Sequence, residues 1–393
     1  MSILLLNAGS SSIKYQLIDA ATKQPLAVGI VQRIGQETGS LTHEVGDDEF
    51  GTERAFPDHT AAVQAVVEAF AEHGPSLDGV QAVGHRTVHG GQTFRESVRI
   101  TDEVIAKLVE LSDLAPLHNP PGIAGIEAAM KVLPDVPHVG IFDTAFFADL
   151  PAEAYTYAID RHLARQHQIR KYGFHGTSHR YVSAKAAEYL GKDPSEVKVI
   201  VCHLGNGASI SAVKYGAPID TSMGLTPLQG LVMGTRSGDV DPGLHTYLGG
   251  KGMSLDEIDT LLNKQSGMGG LCDRTDMRDV AAAIEAGDED ARLAMDVYVH
   301  RLAFYIGGYF TLLGGADAVV FTAGVGENDS GVRREVAYRL AGLGVELDED
   351  ANDVRAKHPR AISTDDSRVK LLVIPTNEEL AMAIDTLKVI GAQ

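Results

Sequence analysis

Ile3-Leu4-Leu5-Leu6-Asn7-Ala8-Gly9-Ser10-Ser11-Ser12-Ile13-Lys14-Tyr15-Gln16-Leu17 runs from an apolar block through small turn-formers into the alternation Ile13, Tyr15, Leu17. That pattern predicts strand, tight turn, strand. A turn of Asn, Gly and Ser leaves backbone N–H groups and hydroxyls unblocked, so an anion can approach closely, and Lys14 adds a cation just beyond it. The same design returns roughly half the chain later at Val199-Ile200-Val201-Cys202-His203-Leu204-Gly205-Asn206-Gly207-Ala208-Ser209-Ile210-Ser211-Ala212-Val213, where Ser209-Ile210 can be laid on Ser12-Ile13. Either stretch alone would be an ordinary hairpin. Their recurrence points to two related domains facing one ligand.

The chain of 393 residues is too long for one core and fits about two domains of ordinary size. A net charge of −19, from 34 basic and 53 acidic residues, gives a nucleic-acid or anionic-membrane partner no global electrostatic support. A phosphate ligand would therefore need local basic residues or a metal. The two cysteines, Cys202 and Cys272, and a start without a basic and then apolar leader predict neither secretion nor a disulfide framework. No apolar run approaches the roughly 18 residues of a membrane span. The expectation is a soluble protein of the cytoplasm.

After the first hairpin, residues 19–57 predict further strands, and Asp58 to His73 a helix with Asp58 as its N-cap and Gly74 past its end. Val80 to Val88 predicts a strand that runs into His85-Arg86-Thr87-Val88-His89-Gly90-Gly91. Thr101 to Leu114 predicts a helix broken by Leu114-Ala115-Pro116-Leu117-His118-Asn119-Pro120-Pro121, with another helix following to Val132. His138 to Asp143 predicts a buried strand ending on a carboxylate. Ligands of α/β proteins collect outside such strand ends. From about residue 148 the pattern begins again. Tyr172-Gly173-Phe174-His175-Gly176-Thr177-Ser178-His179 precedes a helix to Leu190, and residues 214–250 form a Gly-, Pro- and Asp-rich loop around Met233-Gly234-Thr235-Arg236-Ser237-Gly238-Asp239. A loop of that length in a compact domain is usually functional or disordered, and its varied composition favours a functional one. A long helix is predicted from Asp288 to Leu313, then the strand Ala318–Thr322 entering a Gly324-Val325-Gly326 turn with Glu327 and Asn328. The strand Lys370 to Ile374 then leads through Thr376-Asn377-Glu378 into a terminal helix.

Neither a Walker sequence nor a G-x-G-x-x-G fingerprint is present, so the anion sites that remain are the two hairpin turns and the Gly324–Gly326 turn. They point to a nucleotide clamped between two domains. Arg86 and Arg236 lie in apolar or Gly-rich settings, where a planar guanidinium can bind carboxylate or phosphoryl oxygens bidentately. His175 and His179 are four apart, but Gly176 argues against a helix there, and no Cys/His cluster exists. Any metal is then Mg²⁺ held by oxygens, with Asn7, Asp143 and Glu378 as donors; for Glu378 a simple interaction with the helix dipole weighs equally on position alone.

The N-terminal hairpin with Asn7, His85–Gly91, Pro116–Pro121, Gly173–His179, His203–Gly207, Met233–Gly243, Gly324–Asn328 and Thr376–Glu379 occur in the order seen in acetate kinases, and the chain resembles that family along essentially its whole length. The resemblance implies the acetate and sugar kinase, Hsp70 and actin superfamily: an α/β fold of two duplicated actin-like (ribonuclease H-like) domains with a nucleotide cleft between them. The expected boundaries are 1–147 plus 378–393 for an acetate-side domain and 148–377 for a nucleotide-side domain carrying a dimer interface. It implies Mg²⁺-dependent (Mn²⁺ as a substitute), reversible transfer of the ATP γ-phosphoryl group to acetate, giving acetyl phosphate and ADP, by a homodimer.

By matching motifs, Asn7 and Glu378 would serve Mg²⁺, and Lys14 would lie near the phosphates. His203, Leu204, Gly205, Asn206, Gly207, Asp276, Met277, Arg278, Gly324, Val325, Gly326, Glu327 and Asn328 would bind ATP. Arg86 would hold the acetate carboxylate, Val88, Leu117, Phe174 and Pro227 would line a methyl pocket, and His175 and Arg236 would stabilise the transferring group. Asp143 is the family's catalytic carboxylate. Ala323 departs from an expected second Gly, and the segment before Asp276 is about one residue short; both touch the nucleoside end. Since a carboxylic acid with a pKa of about 4 to 5 is already ionised near neutrality, a general base is unnecessary, and Asp143 is expected to orient Arg86 or a metal-bound water. The alternatives are a propionate or butyrate kinase, a non-catalytic ATP-binding module and, weakest, a metal hydrolase.

Overall fold

The computed structural model describes residues 1–391. The chain forms two compact units, Met1–Ala148 with Asn377–Gln393, and Asp149–Thr376. Of the boundary 378–393 expected above, Ala392 and Gln393 lie outside the described residues.

The first unit is built on strands β1 Ser2–Ala8, β2 Ser12–Asp19, β3 Pro25–Gln32, β4 Gly39–Val45, β5 Asp48–Arg54, β6 Val80–Thr87, β7 Val98–Arg99 and β8 His138–Phe142. They join one sheet in the order β5-β4-β3-β2-β1-β6-β8-β7. Strands β1 to β5 form an antiparallel meander, whereas β1, β6 and β8 are parallel neighbours. One face of the sheet buries Leu4, Leu6, Ile13, Tyr15 and Leu17 with Val63, Val66 and Phe70 of helix His59–His73 and Ala128 and Ala129 of helix Asn119–Val132. The other face buries Ile3, Leu5, Ala82, Val139 and Ile141 against Met382 and Ala383 of helix Glu378–Ile390. A buried Met side chain contributes about 1.5–3 kcal/mol to such a face. Helix Glu378–Ile390 sits close because Gly84 has no side chain: a Cβ there would lie 2.5 Å from Thr386 Oγ1.

The second unit repeats the plan with β9 Lys198–Leu204, β10 Ala208–Lys214, β11 Ala217–Thr221, β12 Ala318–Thr322, β13 Arg360–Ala361 and β14 Lys370–Val373, ordered β11-β10-β9-β12-β14-β13. Strands β9, β12 and β14 are parallel. The five-strand series β3-β2-β1-β6-β8 and β11-β10-β9-β12-β14 therefore match in order and direction, which is the duplication that the hairpin echo announced. Helix Gly176–Tyr189 buries Val182, Ala186 and Ala187 on one face, and helix Glu289–Leu313 packs on β9 and β10.

Four local expectations change. Residues 214–250 are not one loop, since they hold β11 and the short helix Gly243–Gly249. The helix predicted from Thr101 to Leu114 is α-helical over Asp102–Glu110 and tightens to a 3₁₀ turn over Leu111–Leu114. Gly176 does not exclude a helix at His179; it is the first residue of Gly176–Tyr189, with His175 as N-cap. Gly324–Gly326 is not an open turn but lies in the short helix Ala323–Asn328, which Glu327 closes by accepting from Ala323 N at 2.8 Å.

Candidate active site

In the first unit the parallel strand ends bring one group of predicted residues together. Leu6 pairs with His85 and Arg86 with Ile141, so Asn7, Arg86 and Asp143 stand at the same end of three adjacent strands. Asn7 also faces Lys14 directly across the β1–β2 ladder. Arg86 donates from Nε to Asp143 Oδ1 and Oδ2 at 3.1 and 3.2 Å, and from Nη2 to Oδ2 at 2.7 Å. The carboxylate is almost wholly buried, at 3% exposure, and the guanidinium is 26% exposed. Asp143, with Glu378 and Glu379 behind it, raises the Arg86 pKa further above its ordinary value. Nη1 makes no hydrogen bond among the described residues, so the Nη1–Nη2 edge can take a second carboxylate.

Glu378 opens its helix after the N-cap Asn377. Burial, with Asp143 and Glu379 adding repulsion against the pull of Arg86, pushes its carboxyl up to about 7. Among the described residues no cluster of three or more His, Cys, Asp or Glu could hold a metal ion unaided. Asn7, Asp143 and Glu378 are nevertheless hard oxygen donors that suit a divalent cation completing its shell with phosphate and water. A raised, buried carboxyl beside a second carboxylate is the electrostatic mark of a place where a cation relieves repulsion.

Nearby, Asn119 holds the segment after β6 from both sides: His89 N donates to Asn119 Oδ1 at 3.3 Å, and Asn119 Nδ2 donates to His89 O at 3.1 Å. That fixes Val88, whereas Leu117 is 70% exposed.

In the second unit the β9–β10 turn is the centre. A Cβ on Gly207 would meet Arg236 Nη1 at 3.5 Å and His175 Nε2 at 3.7 Å, so both cationic-type side chains converge on this turn. Burial lowers the Arg236 pKa, and its Nη1 donates to Pro227 O at 3.4 Å. Gly234 N donates to Asn206 O at 3.0 Å, and a Cβ on Gly234 would lie 2.0 Å from Asn206 Oδ1. A side chain at Gly234 would force the Asn206 amide to move. His175 takes the left-handed conformation at φ 57°, which costs a non-glycine residue about 1–2 kcal/mol. Its ring stacks on that of His203 at 4.4 Å, and Phe174 beside it is buried.

A cavity of about 1070 Å³ opens beside this turn, lined by Gly205, Asn206, Asp276, Met277, Arg278, Gly324, Val325 and Asn328, all predicted nucleotide residues. The hydrogen bonds of Arg278 hold the Asp276 carboxyl down at about 2. Of the other residues expected at ATP, Leu204 is fully buried in β9, and Glu327 spends its carboxylate on the backbone N–H groups of Ala323 and Thr376. His203 is bonded through Nδ1 to Ser178 Oγ at 2.8 Å. The lining also includes residues that sequence reasoning missed: Met268, Thr275, Glu285, Tyr298, Arg334 and Arg355. They come from separate helices and loops with no shared motif; Tyr298 lies on the long helix expected from Asp288 to Leu313, with nothing in its pattern to single it out.

A model of the Acetokinase family matches residues 2–384. The chain is 54% identical over 397 residues to an acetate kinase of Clavibacter sepedonicus, covering 99% of both chains. Among solved structures, an acetate kinase of Porphyromonas gingivalis superposes with a TM-score of 0.95 at 43% identity, covering 99% of both chains. A propionate kinase from Francisella tularensis superposes with a TM-score of 0.93 at 41% identity, covering 98% of this chain and 99% of that one.

Proposed function

The chain belongs to the acetokinase family, and from that premise we propose that it catalyses reversible, Mg²⁺-dependent transfer of the γ-phosphoryl group of ATP to acetate, giving acetyl phosphate and ADP. The observation that carries the reading is the Arg86–Asp143 fork. Asp143 occupies the Nε–Nη2 edge of the guanidinium and leaves the other edge for a substrate carboxylate. A module that merely bound nucleotide would have no use for this second anion site.

Phosphoryl transfer asks mainly for in-line positioning and neutralisation of charge. Arg86 binds and orients the acetate carboxylate, with Val88 and Leu117 the residues of the first unit proposed for the methyl group; Phe174 and Pro227 are the second unit's own candidates for that role. Arg236 and His175 donate to the equatorial oxygens of the transferring group beside the Gly205–Gly207 turn. The 1070 Å³ cavity of the second unit takes the nucleoside, and Lys14 is the first unit's basic residue proposed for the phosphates. Asn7 and Glu378 would hold Mg²⁺, whose positive charge would offset that of the phosphates. Asp143 keeps Arg86 in place; acetate is already ionised, so no proton need be removed from it.

On this reading the first unit carries the acetate side and the second the nucleotide side. The homodimer is supported by an apolar row on helix Glu289–Leu313, where Leu293, Phe304 and Leu312 are 58%, 69% and 58% exposed. Among the described residues no helix is long and apolar enough to cross a membrane, and two buried free cysteines accord with the cytoplasm.

The likeness to a propionate kinase makes acyl-chain preference the point to measure. An ATP-dependent hydroxamate assay with acetate, propionate and butyrate, with Mg²⁺ present or chelated, tests the whole reading. Strong product from acetate that disappears on chelation is expected. Product chiefly from propionate or butyrate would reassign the substrate, and none from any acid while ATP still bound would refute catalysis.

A further inference from the structure

His175 Nδ1 lies 2.9 Å from Ser209 Oγ, and the same Oγ lies 2.7 Å from His179 Nε2. His179 Nδ1 in turn lies 2.7 Å from Ser211 Oγ. Ser209, Ser211 and His179 are fully buried, and burial, with His203 beside it, keeps the His179 pKa well below its ordinary value. The four side chains thus form one linear series, Ser211, His179, Ser209, His175, whose last imidazole sends its remaining nitrogen, Nε2, toward the Gly207 turn.

A serine hydroxyl has one proton, so Ser209 can donate to only one of the two imidazoles it touches. A neutral His179 likewise donates at one nitrogen and accepts at the other. With His175 also neutral the series has two polarities and no mixed state. In one, every proton is passed toward His175: Ser211 Oγ–H donates to His179 Nδ1, His179 Nε2–H donates to Ser209 Oγ, and Ser209 Oγ–H donates to His175 Nδ1. This leaves His175 with its proton on Nε2. In the other polarity Nε2 presents a lone pair, which would repel a phosphoryl oxygen.

We infer that Ser209, His179 and Ser211 are positioning residues that lock His175 as the neutral Nε2–H tautomer, aimed at the transferring phosphoryl group. The inference deepens the proposed function and rests on its placing of that group at His175. The left-handed backbone at His175 accords with this, since a strained residue persists where its surroundings over-determine it. The arrangement supplies a hydrogen-bond donor that needs no proton from solvent, and a buried dipole series that is already oriented costs no reorganisation during transfer.

The test is spectroscopic first. In the ¹⁵N-histidine-labelled full-length enzyme at neutral pH, the His175 resonances, assigned by their loss in His175→Asn, should show a pyridine-type Nδ1 and a pyrrole-type Nε2. A protonated Nδ1 would overturn the inference, whatever the enzyme's substrate. Because this reading needs no turnover, its failure is distinguishable from failure of the hydroxamate assay, which would sink the kinase reading instead. Kinetically, Ser209→Ala and His179→Leu should lower kcat by about 10- to 100-fold with KM for acetate and ATP within about twofold. His179→Gln, which keeps an N–H donor to Ser209, should restore most of the loss. Unchanged kcat in folded Ser209→Ala, or a Gln variant as impaired as the Leu variant, would also overturn it.

Discussion

Replacing Asp143 by Asn separates an orienting carboxylate from a general base. The substitution preserves shape and removes one charge, and it turns one carboxylate oxygen into an N–H₂ group that faces the Arg86 donors. Of the three hydrogen bonds between the two side chains, the strongest by geometry is Nη2 to Oδ2 at 2.7 Å. Each hydrogen bond to a charged group contributes about 1.5–3 kcal/mol, and removing one partner of a buried pair costs about 3–5 kcal/mol. Since the Arg86 side chain keeps 26% of its surface exposed, solvent screening brings the expected loss to about 2–4 kcal/mol.

If that loss falls on the bound orientation of acetate, kcat/KM for acetate drops by about 30- to 1000-fold at saturating ATP and Mg²⁺. The hydroxamate assay run from pH 6 to pH 9 checks it. An orienting role predicts a deficit whose size does not shrink as pH rises above 7. Activity that recovers tenfold per pH unit would mean that hydroxide replaces a missing base and would refute the reasoning, as would a variant within threefold of the parent.

Glu378→Gln should stabilise the protein at pH 8 but not at pH 4: with the folded pKa raised to about 7, the favourable contribution of the protonated carboxyl is complete below its unfolded pKa of about 4.5 and is lost as pH rises through 7. Thermal melts at the two pH values decide this, and equal shifts at both would contradict it. In the parent protein Mg²⁺ must displace that proton, so Mg²⁺ affinity from a titration of activity should weaken by up to about tenfold per unit below pH 7; flat affinity from pH 8 to 5.5 would remove Glu378 from the metal site. Ala323 holds φ at +64°, so Ala323→Gly should gain about 0.5–1 kcal/mol, the relief of left-handed strain exceeding the added freedom of the unfolded chain; a lower Tm would count against the strain. Tyr298 carries a buried hydroxyl without a hydrogen-bond partner in the wall of the large cavity, so Tyr298→Phe should raise the stability of the free protein by about 1 kcal/mol while reducing the Tm rise produced by ADP. An unchanged ADP shift would show that the hydroxyl does not meet the nucleotide.

What was legible in the sequence was what depends on period and repetition. The alternation Ile13, Tyr15, Leu17 and its echo at Ile210 and Ala212 identified both hairpins, and from them the duplicated sheet. Arg86 and Asp143 were legible because each closes an apolar strand. Their fork was not, because pairing of β6 with β8 is a tertiary fact separated by 57 positions. As a metal pair His175 and His179 were set aside because a glycine stands between them, yet Gly176 opens the helix that turns His179 toward Ser209 and Ser211. Gly324–Gly326 looked like a turn by composition, and the carboxylate of Glu327 made it a helix. Arg334, on helix Ser330–Arg339, and Arg355, in the loop after helix Glu349–Asp353, line the cavity but follow no motif, since surface arginines occur there and elsewhere alike.

The first unit is not continuous along the chain: helix Glu378–Ile390 is made only after the whole second unit, and it covers the face of β1, β6 and β8 that bears Ile3, Leu5, Val139 and Ile141. During synthesis that apolar face has no cover until the ribosome has passed the whole second unit. The second unit, complete by Thr376, can finish folding first, while the N-terminal sheet waits in a state that invites chaperone binding or aggregation. The same order makes the helix a completion check. Glu378 arrives on the element that seals the core, so a chain truncated before it lacks both the proposed metal carboxylate and the means to bury its first sheet.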